Sequence, residues 1–97
     1  ASIASAKGAV EGLTKSLAAE FAGKIRVNCI APSLTDTPLA QGILRNEDAI
    51  KRSNERHPSK RINTASDVAK TAEFLLQNNN ITGHIIHVDG GMSTLKV

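Results

Sequence analysis

The side chains that could do chemistry in this 97-residue chain are few and scattered. Cys29 is the single cysteine, which excludes an intrachain disulfide and a multi-cysteine zinc site. Its apolar neighbours mark it as a buried small hydrophobe, because a reactive thiol needs an exposed, electropositive setting. His84 and His87 flank Ile85-Ile86, and that spacing on a strand sends them to opposite faces, which is wrong for a shared metal. His57 stands before Pro58 and reads as a surface loop residue. Asp89-Gly90-Gly91 reads as a strand-terminating turn rather than a phosphate or metal loop. Hydroxyls gather in the stretch Ser33 to Thr37, just after Pro32. With two Phe, no Tyr and no Trp, the chain has no phenolic acid/base and no tyrosine or tryptophan platform for stacking bases.

The net charge of +3 resides in one segment. Between Gly42 and Ile62, Arg45, Lys51, Arg52, Arg56, Lys60 and Arg61 stand against Glu47, Asp48 and Glu55, and the remainder is neutral. Such interspersed signs read as a solvated face. The other use of the segment is to meet phosphates or nucleic acid, and the missing stacking aromatics argue against it. No run of about 18 apolar residues could span a membrane. Lys7, Glu11, Lys15 and Glu20 interrupt the apolar pattern of the N-terminus, unlike a signal peptide. The expectation is a soluble, cytoplasmic protein.

Val10, Leu13, Leu17, Ala18 and Phe21 share one helical face, so a helix is expected from near Ile3 to Phe21 or Ala22, with Gly23 as its stop. Ser2 and Ser5 suit N-terminal capping of it. Gly8 and Gly12 weaken the helix and leave a shallow groove where another element can come close. Ile25 to Ala31 is short and β-branched, a strand ended by Pro32. Pro38 suits the first turn of a thinly apolar, helix-compatible region that runs from Leu39 to about Arg56, as one helix or two short ones, and that is expected to be mobile or to act as a cover. His57-Pro58 breaks it. Thr64, with Asp67 three residues on, forms a capping box ahead of a helix carrying Val68, Ala69, Ala72, Leu75 and Leu76, which Asn78-Asn79-Asn80 ends. Thr82-Gly83 turns into a strand from His84 to Val88. Strands separated by a helical crossover imply a parallel pair. Two parallel strands cannot complete a sheet that is normally covered on both faces. The elements, and a first residue Ala1 that is not Met, suggest the C-terminal part of something larger.

Four stretches resemble the short-chain dehydrogenase/reductase family. Residues 5–20, SAKGAVEGLTKSLAAE, resemble its active-site helix, and residues 25–32, IRVNCIAP, its next strand. Residues 66–69, SDVA, resemble its last major helix, and residues 81–91, ITGHIIHVDGG, its last strand. The match is in order and spans nearly the whole chain. It implies an α/β fold, the C-terminal part of a doubly wound Rossmann-type parallel sheet running helix, strand, helices, helix, strand. Residues 1–97 would be the C-terminal portion of a single NAD(P)-binding domain whose Gly-rich dinucleotide-binding half lies upstream. None of the seven glycines here forms that loop.

The resemblance also implies chemistry: hydride transfer between NAD or NADP and a carbonyl/alcohol substrate. Lys7 matches the family lysine that binds the nicotinamide ribose and lowers the pKa of a tyrosine four residues earlier. Ile3 stands at that tyrosine position and can neither give nor take a proton. Pro32 would line the nicotinamide face, with Ser33 replacing the family glycine after it. Thr35 falls where the family backbone holds the carboxamide, and Thr37 where a hydroxyl meets the pyrophosphate. A loop after a strand lies at the sheet edge where ligands bind in open α/β folds. The chain alone would bind a dinucleotide weakly or not at all. A non-catalytic binding or assembly protein is the alternative that Ile3 raises, with oligomers forming through the active-site helix and last strand. The substrate, and the choice between NAD and NADP, are not written in these residues.

Overall fold

A computed structural model describes residues 2–96 of the chain. Helix α1 spans Ser2–Glu20, and Gly23 in the left-handed region (φ 82°) ends its following turn, a conformation glycine adopts without steric cost. The capping role read for Ser2 lies outside the described side chains. Ser5 is exposed inside the helix. The apolar face of α1 is only partly used: Ala18 is buried and Leu17 and Phe21 are half-buried, whereas Val10 and Leu13 are exposed. Thr14 takes a buried place on the helix instead, its hydroxyl donating to the Val10 carbonyl at 2.8 Å.

Strand β1 is Cys29–Pro32, four residues shorter at its start than the β-branched run suggests. The reason lies in the side chains of Arg26 and Asn28. The Arg26 guanidinium donates to the Leu75, Leu76 and Ile81 carbonyls at 2.7, 3.2 and 3.4 Å. Asn28 donates to the Ile81 carbonyl at 3.0 Å and accepts from the His84 amide at 3.1 Å. These bonds replace the regular ladder until Cys29. Cys29 itself is half-buried, less enclosed than expected.

After β1 the chain forms a two-residue strand β2, Thr35–Asp36, and a single 3-10 turn, Pro38–Ala40. Helix α2, Glu47–Arg56, follows, its first turn capped by Asn46, whose side chain accepts from the Ala49 amide at 2.8 Å. The expected pair of short helices is therefore present. Its apolar contribution is small: Ala40, Leu44 and Ala49 are buried, and Leu39, Ile43 and Ile50 are exposed. A second two-residue strand, β3 at Asn63–Thr64, pairs in parallel with β2 (Thr35 opposite Asn63), a contact too short to leave a sequence pattern.

Helix α3, Ala65–Gln77, opens on the expected capping box: Thr64 accepts from the Asp67 amide, and Asp67 accepts from the Thr64 amide. Asn78 ends it. Strand β4, Ile85–Val88, pairs in parallel with β1, Cys29 opposite Ile85 through Pro32 opposite Val88. Pro32 is tolerated there because the last position of a strand can forgo its N–H. α1 packs against β1, and α3 against β1, β3 and β4. The architecture is α/β with a parallel strand pair, as part of a doubly wound Rossmann sheet.

Candidate functional site

The C-terminal end of the β1–β4 pair carries the site. Lys7 from α1, Pro32 and Ser33 leaving β1, His57 after α2, and Asp89 and Ser93 after β4 line one cavity of about 370 Å³. An apolar groove of about 290 Å³ adjoins it across Lys7 and Pro32, and Ile3, Val10 and Cys29 line that groove. Ile3 is 83% exposed and opens on the groove, not on the larger cavity. Lys7, Pro32 and Ser33 thus meet at one place. Thr35 and Thr37 stand outside the cavity wall. The Thr35 hydroxyl donates to the Ser33 carbonyl at 3.0 Å. Thr37 precedes the 3-10 turn without a capping bond from its side chain, so its hydroxyl is uncommitted to the cap.

His57 overturns the expectation of a surface residue, being only 2% exposed. Its Nδ1 lies 2.8 Å from the Ser53 carbonyl and its Nε2 2.7 Å from Ser33 Oγ. A carbonyl only accepts, so Nδ1 donates to Ser53; in a ring protonated there alone, Nε2 accepts from the Ser33 hydroxyl. Asn63 is buried beside this pair. Its side-chain amide donates to Ser33 Oγ at 3.4 Å and to the Val88 carbonyl. Ser33 also donates its amide to the Val88 carbonyl at 3.1 Å, and Asn63 donates its amide to the Leu34 carbonyl at 3.0 Å. Buried polar groups hold position when every partner is present. Here three separate segments are tied together at Ser33.

The turn after β4 closes the other wall. Asp89 is buried and accepts from the Gly91 and Ser93 amides at 3.0 and 3.1 Å and from the Ser93 hydroxyl at 2.6 Å. Burial pushes its carboxyl up, but the Ser93 hydroxyl, the Gly91 and Ser93 amides and His87 together more than offset this, leaving it below its ordinary value. The expected turn is confirmed, with Gly90 and Gly91 both at positive φ. A Cβ on Gly90 would collide with Ser59 Oγ, because the Ser59 amide bonds the Gly90 carbonyl at 3.0 Å.

Of the basic segment, Arg61 is neutralised by Asp67 at 2.8 Å, and that pairing holds Asp67 far below the usual carboxylate range. Arg56 reaches the cavity wall. Asn63 and Ser93 were not foreseen. Asn63 carried no signal, whereas the hydroxyl of Ser93, four residues past Asp89, fits the turn that Asp89 caps. Among the described residues no cluster of three metal-ligating side chains exists, and no helix is long and apolar enough to cross a membrane.

Comparison with known proteins agrees with this geometry. A family model described as enoyl-(acyl carrier protein) reductase, of the short-chain dehydrogenase type, matches residues 1–93. Tropinone reductase-like 3 of Erythroxylum coca is 41% identical over 87 residues, covering 88% of this chain and 34% of that protein. The ligand-free aldohexose dehydrogenase of Thermoplasma acidophilum superposes with a TM-score of 0.85 at 35% identity, covering 95% of this chain and 40% of that one. A small-chain dehydrogenase in complex with NADPH superposes with a TM-score of 0.77 at 41% identity, covering 88% and 39%. The chain spans about a third of the length of the curated relatives it matches. A cavity at the end of parallel strands, the helix and loop that wall it, and a family match over nearly the whole length agree: the chain belongs to the short-chain dehydrogenase/reductase family.

Proposed function

We propose that this chain is the C-terminal portion of a single NAD(P)-binding domain, and that the protein is an oxidoreductase of a small carbonyl/alcohol substrate. The observation that carries the reading is the convergence of Lys7 with Pro32 and Ser33 on one cavity. These groups fit the nicotinamide end of NAD or NADP. Lys7 is a point charge with three donors, suited to ribose hydroxyls. Pro32 offers an apolar face to a ring, and the uncapped Thr37 hydroxyl is available to a phosphate oxygen. When bound, the cofactor supplies or accepts the hydride. The relative solved with NADPH supports this choice of ligand.

The proton is the part that these residues do not obviously supply, since Ile3 holds the position of the family's tyrosine. That substitution favours a second reading, a protein that binds the dinucleotide or assembles into oligomers without turnover. The exposed Val10 and Leu13, beside Gly8 and Gly12 with open space around them, support α1 as an assembly face in a cytoplasmic homo-oligomer. Titration of the full-length protein with NADH and NADPH tests the shared premise. Turnover that disappears in Lys7→Ala selects the enzyme. Tight binding without turnover on a panel of carbonyl substrates selects the binding protein, and no binding of either nucleotide removes both.

A further inference from the structure

We propose that His57 is a positioning residue: through Ser33 it clamps the loop of Pro32 to Thr37 to the end of α2, so that the nicotinamide-side loop and the α2 cover move as one body. The inference rests on the cofactor reading of that loop. Ser33 Oγ and His57 Nε2 are 2.7 Å apart, and the other ring nitrogen holds the Ser53 carbonyl at 2.8 Å. The ring therefore bridges two elements that are otherwise distant in sequence, and it does so from a position only 2% exposed. Ser53 is equally buried. The His57–Ser53 bond is buried, so losing it leaves a buried polar group without its partner, whereas the His57–Ser33 bond lies at the cavity wall and fixes the loop there. Pro32 precedes Ser33 directly, and Thr35 donates to the Ser33 carbonyl, so the pitch of Ser33 sets both neighbours.

A nucleophile–base pair is the other use of a serine bonded to an imidazole. The second bonds at Ser33 favour anchoring. Its hydroxyl also accepts from Asn63, and its amide is spent on the Val88 carbonyl.

The two nitrogens of His57 can be separated by substitution. An asparagine amide can donate to the Ser53 carbonyl in place of Nδ1 but cannot reach Ser33. A glutamine oxygen can accept from Ser33 in place of Nε2. The experiment measures NADH and NADPH dissociation constants and amide hydrogen exchange over residues 33–37 in the full-length protein, for Ser33→Ala, His57→Asn, His57→Gln and the double variant Ser33→Ala/His57→Asn. The expected result is a loss of affinity of about tenfold, with faster exchange in the loop, for Ser33→Ala and His57→Asn. His57→Gln should restore both to near the unmodified values, and the double variant should be no worse than either single one. A purely structural role would lower the melting temperature of both His57 variants alike and leave affinity untouched, which overturns the proposal. So does covalent labelling of Ser33 by an alkyl fluorophosphonate, which would make it a nucleophile. If the unmodified protein binds neither nucleotide, the cofactor reading falls and takes this inference with it. If it binds and the variants match it, only this inference falls.

Discussion

Among the described residues, Lys7 is the one cation bordering both the cavity and the apolar groove. Its removal should therefore act on ligand rather than on fold, because the side chain is exposed and ties no element to another. Lys7→Ala is expected to weaken nicotinamide-nucleotide binding by about tenfold or more, one charge-assisted hydrogen bond, with an unchanged melting temperature. Ile3 faces the groove one turn away on the same helix. If the proton donor is all the site lacks, Ile3→Tyr should raise turnover by about 100-fold, the lower range for a general acid, and a flat result would show the deficit lies elsewhere. Asp89 sets an acid limit. Its folded-state pKa lies below the ordinary carboxylate value near about 4. The stability it contributes is thus present above that value and lost as pH falls through the folded one. Melting curves at decreasing pH should fall less steeply for Asp89→Asn than for the unmodified protein below about pH 4, although the variant starts lower at neutral pH.

The capping box of α3 was legible because it is local: Thr64 and Asp67 are three residues apart and answer each other's amides. Thr64→Ala should cost about 1 kcal/mol in chemical denaturation. Leu75, buried under the strands, should cost about 2–4 kcal/mol as Ala. The strands were legible in kind but not in length. Arg26 and Asn28 look like polar interruptions of an apolar run, yet their partners lie in residues 75–84 and cannot be read from spacing. His57 was misread for the same reason. A histidine before a proline reads as surface, and its burial is made tolerable by the Ser53 carbonyl together with Ser33, 24 residues away. The turn after β4 was read correctly from glycines alone. Gly90→Ala should be among the worst single changes there, since it combines positive φ with a collision against Ser59, and a fall in melting temperature with loss of soluble yield checks it.

Taken whole, the molecule shields little apolar surface. Ile3, Val10, Leu13, Phe74, Leu76 and Leu39, the last 97% exposed, stand open on several sides. Patches of this kind mark contact with other protein. The 97 residues expressed by themselves are expected to sediment as oligomers or to unfold without a cooperative transition, and a stable monomer with a sharp melt would count against an unfinished sheet. The α/β class was readable at this level because helix and strand patterns alternate. The extent of exposure was not, since it depends on elements that would have to come from elsewhere in the polypeptide or from another subunit.

The Arg26 and Asn28 bonds have a consequence for the order of events in folding. They join residues 49 to 56 positions apart, and the β1–β4 register begins where they end. Closing a chain segment of that length costs roughly 3–4 kcal/mol in entropy before any strand hydrogen bond forms. Helix α3, stabilised by its own cap, can form first and present the carbonyls that Arg26 seeks. Arg26→Met should then slow refolding more than it speeds unfolding, whereas changes confined to the exposed end of α1 should leave the refolding rate unaltered.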